Sequence, residues 1–260
     1  MNAMTPIKSL LLVSFAGIAA AAEPQHLNFL SCPIVRDTST VPCWLTRYEG
    51  ELYYLGIQTD VSAAFRPPWL GHRVLVEGVV SGEARICGGV VLTDLRISVM
   101  PELDPSCDEQ LPAEARYTID FNPRPPGPSG GRLAFEGADP NRYPSASDLE
   151  GPEFLLTFDV DRSIEFRHPL ELMRIIDYAK TVSATAIRVH GSRGSTLLTD
   201  GSTIVESDGV SKRRAEDVAR MLRSVDLDAD ISATWSDEPS PADGVDDWKS
   251  RSVTVVVDGN

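Results

Sequence analysis

The sequence lacks the residue patterns on which most enzymatic and metal-binding sites depend. It has only four histidines, His26, His72, His168 and His190, and they share no spacing typical of metal ligands. No Cys-x-x-Cys pair is present, which argues against a structural zinc site. No serine or cysteine lies in a recognisable nucleophile motif. We therefore predict a non-enzymatic protein with no cofactor and no metal.

Positive charge is also scarce. The chain has 24 Lys and Arg against 38 Asp and Glu, a formal net charge of −14. Nucleic-acid binding requires a basic face that neutralises phosphates, so this composition excludes nucleic acid as a partner. After the first 22 residues, no stretch is apolar enough to cross a membrane.

Residues 1–22 have the pattern of a secretory signal peptide. Lys8 provides the positive charge, and the apolar run that follows is too short to span a bilayer. Small residues at 20–22 suit cleavage before Glu23, and no cysteine follows directly, which argues against a lipoprotein. We expect an exported protein of the periplasm, soluble or peripherally associated with the outer membrane or cell wall.

The cysteines all lie in the first half of the chain, at Cys32, Cys43, Cys87 and Cys107. An even number of cysteines in an exported protein favours disulfides. Of the three possible pairings, Cys32–Cys43 with Cys87–Cys107 closes the shortest loops, and we favour it.

Residues 23–121 are expected to form an all-β domain. Short strand patterns at 74–80, 86–92 and 95–100, separated by turn residues, indicate a small barrel or sandwich. Gly88-Gly89 suggests a bulge or a close backbone approach. The stretch 71–78 is generically similar to a five-stranded OB-type barrel.

Aromatic residues in this domain allow two interpretations. They are Trp44, Tyr48, Tyr53, Tyr54 and Trp69. They could form a binding platform on a sheet face. The area that each ring buries favours a place in the core instead.

Residues 122–151 are rich in proline and glycine and are predicted to be a linker. If extended, such a segment could separate two domains by several tens of ångströms. Residues 152–260 then alternate strands with helices, which predicts an α+β domain in which two helices pack on a mixed sheet. Expected strands lie at 154–158, 186–189, 230–235 and 252–257.

Two helices are expected in this second domain. The first begins at Pro169 and buries Leu172, Met173, Ile176 and Ala179. The second covers 211–223, with Ser211 as its N-cap and an apolar stripe at Ala215, Val218, Ala219 and Leu222. Arg213 and Arg214 lie in its first turn, where the helix dipole disfavours cations. Either these side chains reach solvent, or one of them receives an anion.

The strand, loop and helix at 186–222 resemble the core of the OmpA-like domain, the peptidoglycan-binding C-terminal domain of outer-membrane protein A. In that family a strand ends in Gly-x-x-Asp and the helix begins with Leu-Ser-x-x-Arg-Ala. Here the strand ends in Gly191-Ser192-Arg193-Gly194, and the helix begins with Val210-Ser211-Lys212-Arg213-Arg214-Ala215. The resemblance covers about residues 154–257 and implies a βαβαββ-type domain.

The resemblance also implies a binding site. In the family, an aspartate and the arginine clamp the zwitterionic end of diaminopimelate in the peptidoglycan stem peptide. Arg214 matches that arginine, Ser207 falls at the family's loop asparagine, and Arg251 matches a second arginine. Gly194 stands in place of the aspartate, and Asp200 or Asp208 is a candidate substitute.

These expectations favour an exported, non-enzymatic protein of the cell envelope that binds peptidoglycan non-covalently through its second domain. The alternative is a degenerate OmpA-like fold that serves as a periplasmic protein-interaction module and no longer binds peptidoglycan. A protein partner in the periplasm or outer membrane fits both interpretations.

Protein isolated from the periplasm is expected to begin near Glu23 and to contain two disulfides. The signal-like pattern of residues 1–22 and the even number of cysteines are the reasons. Intact-mass measurement before and after reduction checks both points. A mass that includes Met1, or four thiols that react without reduction, contradicts the prediction.

Overall fold

The computed structural model describes residues 25–57, 65–119, 152–164 and 170–259, which form two units. The first unit is made of strands. They are β1 (His26–Ser31), β2 (Pro33–Arg36), β3 (Cys43–Tyr48), β4 (Glu51–Ile57), β5 (His72–Val80), β6 (Val90–Leu103) and β7 (Gln110–Leu111).

The strands of the first unit close into a barrel. Their order is β1-β5-β6-β4-β3-β2-β7, and β4 pairs with β6 in parallel, as does β2 with β7. Only Cys32 separates β1 from β2. Because β1 pairs with β5 and β2 pairs with β3, this continuous segment joins the first strand of the order to β2, the strand beside β7 at the other end. The prediction of a small disulfide-containing β-structure is confirmed, and its form is a barrel.

The two expected disulfides are present, but the pairing that we favoured is wrong. Cys32 bonds to Cys107, and Cys43 bonds to Cys87. The pairing of the cysteines is set by which segments are adjacent in the fold, and not by the length of the loop that each disulfide closes. The junction of β1 and β2 lies against the segment after β6, while the start of β3 lies against the turn before β6. The bonds span 75 and 44 residues, and longer loops restrict the unfolded chain more.

Two of the predicted strands are parts of a single strand. β6 runs from Val90 through Leu103, so the pattern at 95–100 continues that at 90–92. Residues 86–89 form a tight turn closed by the Ile86–Gly89 bridge. The close approach expected at the glycines is confirmed, because a Cβ on Gly89 would lie 2.6 Å from the Tyr54 backbone nitrogen.

Four of the five aromatic residues are half-buried and pack against apolar clusters of the barrel. Trp44, Tyr48 and Tyr53 pack against one apolar cluster, and Tyr54 packs against another. Trp69 differs, since 51% of it is exposed. The aromatic residues therefore form no common platform, and the core interpretation holds for all but Trp69.

The second unit is a mixed sheet with two helices. Its elements are β8 (Glu153–Thr157), α1 (Leu170–Thr181), β9 (Ala186–Gly191), β10 (Ser195–Leu197), β11 (Thr203–Val205), α2 (Val210–Arg223), β12 (Asp230–Trp235), a 3-10 helix (Asp247–Ser250) and β13 (Ser252–Asp258). The sheet order is β12-β9-β13-β8, with β12 parallel to β9 and β13 antiparallel to both neighbours. The α+β class and the mixed sheet are confirmed. No helix in the described ranges is both long and apolar enough to cross a membrane.

Both helices cover the same face of this sheet. Buried residues of α1 and α2 share one core cluster with Ile187, Val189 and the valines of β13. The stripe of α2 is as predicted, whereas Met173 of α1 is 52% exposed and Ile175 is buried in its place. Residues 172, 175, 176 and 179 keep the helical spacing of three and four, and Met173 falls outside it.

The two units are in direct contact through an apolar cluster. Leu75 on the outer face of β5 packs with Val160 and Leu198 of the second unit, and all three are buried. Leu30 and Met100 from the barrel extend this contact. The two units therefore share a buried apolar interface.

Polar groups fix the register of this interface. Asn28 of β1 donates its backbone N–H to Thr199 Oγ1 at 2.9 Å and accepts from the Thr199 N–H at 2.8 Å. Its side-chain amide donates to the carbonyls of Leu197 and Gly244. At Asn28, the side of β1 that does not pair with β5 is thus bonded to the turn between β10 and β11, which protects it from other strands.

Several predictions lie outside the described residues. They are the signal peptide at 1–22, the linker at 122–151 and the helix start at Pro169. The domain boundaries that depend on them remain predictions.

Replacing Glu77 with alanine should strongly destabilise the protein. Glu77 of β5 pairs with Arg251 across the interface, and both are buried. Loss of one partner leaves an uncompensated buried charge, which costs about 3–5 kcal/mol. The free energy of unfolding in urea measures the effect.

Glu51 offers a matched control, because its ion pair with Arg85 is exposed. Glu51→Ala should change stability little. The double variant Glu77→Leu with Arg251→Met should recover most of the lost stability, since a buried pair can be replaced by apolar groups. Equal effects of Glu77→Ala and Glu51→Ala would show that the pair does not join the units.

Candidate functional site

The candidate site lies where β9 ends and α2 begins. Gly191 closes β9 directly against the first turn of α2, and a Cβ there would lie 2.1 Å from the Ser211 carbonyl oxygen. Only glycine permits this contact between strand and helix. It brings Arg214, one turn into α2, beneath the loops that surround the end of the sheet.

Arg214 is fully buried, and all of its donors are used within the chain. Its Nε donates to the Arg162 carbonyl at 2.8 Å. One terminal nitrogen donates to the Ser192 carbonyl and to Glu206, and the other donates to the Asp159 carbonyl and to Glu206. A guanidinium has five N–H donors, so none remains for a ligand.

Glu206 is the anion that Arg214 holds. It lies directly after β11, and its side chain is 2% exposed. Besides the bidentate contact with Arg214, its two oxygens accept from the backbone N–H groups of Asp161 and Gly194, each at 2.9 Å. Four donors thus surround one carboxylate, which is the arrangement of a complete carboxylate-binding site.

This geometry decides which of the two interpretations of the arginines applies. Arg213 lies on the exposed side of α2, whereas Arg214 receives an anion. That anion comes from the chain itself. An external carboxylate could bind Arg214 only by displacing Glu206 from four hydrogen bonds.

Gly194, at the position of the family aspartate, has no space for a side chain. A Cβ there would lie 1.9 Å from Ser250 Oγ and 2.9 Å from Ser250 Cβ. An aspartate at this position would therefore require Ser250 to shift. The position that the resemblance assigns to an aspartate therefore carries no carboxylate, and Ser250 occupies the space that its side chain would need.

Ser207 has a structural role in the described conformation. Its backbone N–H and its hydroxyl both donate to the carboxylate of Asp161, at 2.7 and 2.9 Å. Asp161 has a positive φ of 58°. Its backbone N–H meanwhile donates to Glu206, so the two loops are bonded to each other in both directions.

Arg251 is paired in the same way as Arg214. It is 1% exposed and donates to both oxygens of Glu77 from the barrel, and to Thr196 Oγ1 at 2.6 Å. Its Nε is buried without a hydrogen-bond partner among the described residues. The second arginine of the predicted site thus joins the two units.

The two candidate substitutes for the missing aspartate lie apart from Arg214. Asp208 pairs with Arg193 at 2.8 Å and is 88% exposed. Asp200 lies in the turn between β10 and β11, where it accepts from the backbone N–H and hydroxyl of Ser202. These bonds, the hydroxyl first, lower the pKa of Asp200.

The N-terminus of α2 differs from the prediction. Gly209, with a φ of 74°, is the N-cap, and Ser211 is inside the helix. Asp237 accepts from the Gly209 N–H and from the Ser211 hydroxyl, both at 2.9 Å. These bonds, the backbone bond first, lower the pKa of Asp237. Asp237, from a distant loop, therefore accepts the hydrogen bonds at this helix end, where we had expected Ser211 to be the acceptor.

Sequence reasoning missed the two carboxylates that hold the arginines, Glu77 and Glu206. Glu77 sits in a strand pattern where an acidic residue normally faces solvent. Glu206 lies in a loop with Asp200 and Asp208, and no local signal distinguishes it from them.

Comparison with known proteins gives no match to this chain among protein-family models, curated proteins or solved structures. The OmpA-like resemblance therefore rests on the residues at 191–194 and 210–218 alone.

Replacing Glu206 with glutamine should destabilise the protein by about 3–5 kcal/mol, because the buried Arg214 would lose its counter-charge. Thermal or urea unfolding measures the change. Asp208→Asn is the matched control, since its carboxylate is two residues away but exposed, and it should have little effect. A Glu206→Gln protein as stable as Asp208→Asn would show that the pair is dispensable.

Proposed function

We propose that this chain is an exported, non-enzymatic protein-interaction module of the cell envelope, with an OmpA-like framework that no longer binds peptidoglycan. The observation that carries the proposal is the bidentate pairing of Arg214 with Glu206 inside the protein. In the OmpA-like family that the chain resembles, the corresponding arginine binds a carboxylate of the ligand. Here an internal carboxylate takes that place.

The second arginine and the glycine support the same conclusion. Arg251 is occupied by Glu77 of the barrel, and Gly194 has no space for the aspartate that would bind an ammonium group. These three positions of the implied ligand site therefore serve packing between loops or between units. A site with no free donor and no acceptor leaves the charged groups of a zwitterionic stem peptide without hydrogen-bond partners.

The barrel supports a binding role for the whole chain. Its ring of strands, with a parallel pair between β4 and β6, has the order of an OB-type barrel, a fold used for binding. The two disulfides favour an oxidising compartment. Together with the signal-like pattern of residues 1–22, they support export.

An exposed apolar patch at the seam of the two units suits a protein partner. It contains Trp69, Leu103 and Ile164, which are 51%, 76% and 62% exposed. Trp69 contacts the ring of His72, and Leu103 lies opposite His72 in the sheet. Arg162, two residues before Ile164, lies over the Trp69 ring at 5.5 Å. Exposed apolar patches with a polar rim are typical of interaction sites.

The wild-type protein should stay in the supernatant when it is sedimented with isolated peptidoglycan sacculi. Its Arg214 is saturated, and the protein is strongly acidic. The control is the double variant Arg214→Met with Glu206→Gln, which removes both buried charges together so that neither is left unpaired. It should behave like the wild type. Pelleting of the wild type, with or without loss in the variant, contradicts the proposal.

Site-specific photo-crosslinking in cells provides the positive arm of this test. A crosslinker at position 103, in the patch, should give a discrete protein adduct that Trp69→Ala reduces. A crosslinker at the exposed position 216, on α2, should not give that adduct. Identical adducts from both positions would contradict a partner site at the patch.

A further inference from the structure

A cavity of about 190 Å³ opens at the seam between the barrel and the second unit, apart from the Arg214 site. Its lining includes Leu30, Tyr48 and Arg73 from the barrel, and Leu198, Asp200 and Ser202 from the turn between β10 and β11. Clefts between packed units are common places for small-molecule sites. This volume is smaller than that of pockets for drug-sized ligands and suits a molecule of amino-acid size.

Arg73 provides positive charge with free donors. It lies in β5 on the same outward face as Leu75 and Glu77, which the second unit covers. Arg73 itself is exposed. No described residue forms an ion pair or hydrogen bond with its guanidinium, so it can bind a carboxylate in bidentate fashion.

Asp200 provides negative charge with a free oxygen. Both bonds from Ser202 go to Oδ1, at 2.9 and 2.6 Å, and within the described ranges no other residue donates to Oδ2. The turn that holds Asp200 is itself fixed, because Thr199 is bonded to Asn28 of β1 through two hydrogen bonds. Asp200 therefore holds a defined position at the edge of the cavity.

The remaining lining supplies apolar surface and a polar group. Leu198 is buried and belongs to the cluster that also contains Leu30. The Tyr48 ring stacks on Phe29 with 4.5 Å between centroids. Desolvation raises the pKa of the Tyr48 phenol, and the negative charges of Glu49 and Asp200 raise it further. The phenol therefore stays neutral and lies near enough to Asp200 to feel its charge.

From this arrangement we propose that the cavity binds the zwitterionic head group of a free α-amino acid with an apolar side chain. Arg73 takes the carboxylate, Asp200 takes the ammonium group, and the leucines contact the side chain. Arg73 and Asp200 line the same cavity without forming an ion pair with each other. An α-amino acid carries its ammonium and carboxylate groups on one carbon, so a single molecule offers one charged group to each residue. The site does not depend on the proposed function, since it uses neither Arg214 nor the apolar patch.

Isothermal titration calorimetry of the full exported chain with leucine tests the site. Leucine should bind, and N-acetyl-leucine and leucinamide should each bind at least about ten-fold more weakly, because each lacks one of the two charges. Glycine should also bind more weakly than leucine, because it lacks the apolar side chain. No heat with leucine at millimolar concentration, or equal binding of the blocked forms, overturns the proposal.

Two variants test whether leucine binds in this cavity. Arg73→Gln and Asp200→Asn should each weaken leucine binding about ten-fold or more. Asparagine keeps the Oδ1 acceptor that Ser202 needs, so the turn is preserved. Arg47→Gln and Asp226→Asn are controls for loss of charge outside the cavity and should bind leucine as the wild type does. Unchanged leucine affinity in Arg73→Gln would place the binding elsewhere and overturn the site.

Discussion

The second unit depends on the buried ion pair between Arg214 and Glu206. Through its five donors, Arg214 joins the loop after β8, the end of β9 and the loop before α2. Burying two charges costs several kcal/mol for each ion, and it is tolerated only when each hydrogen-bonding group is satisfied. Here each group is satisfied, with Asp161 and Gly194 completing the carboxylate. The loops can therefore adopt only arrangements that keep this network intact.

The same physics joins the two units. Arg251 and Glu77 meet between the barrel and the sheet, and both would be unpaired if the units separated. Apolar contacts around Leu75 supply area, while the charged pair and Asn28 specify one relative position. Buried polar contacts are weak sources of net stability, but they penalise every other register. The result is an interface that is specific as well as apolar.

A residue that matches a binding motif in sequence can therefore have a structural role instead of a ligand. Arg214 resembles the motif arginine in sequence, and the carboxylate that it holds is Glu206 of the same chain. Charged side chains that form no ion pair with a described residue, Arg73 and Asp200, line the cavity at the seam instead. A motif identifies where an arginine will sit, and only the neighbouring loops decide what it binds.

The sequence by itself determined the α+β class, the alternation of strands and helices, and the buried stripe of α2, because hydrophobic periodicity is a local property. Tertiary structure decided the disulfide partners, the cap of α2 by Asp237, and the partners of Arg214 and Arg251. Some of these contacts join residues that are far apart in the chain. Glu206 is nearer to its arginine, but it lies in a loop with other acidic residues. Local patterns carry no information about which of several carboxylates reaches a buried arginine. That choice follows from how the strands and loops pack.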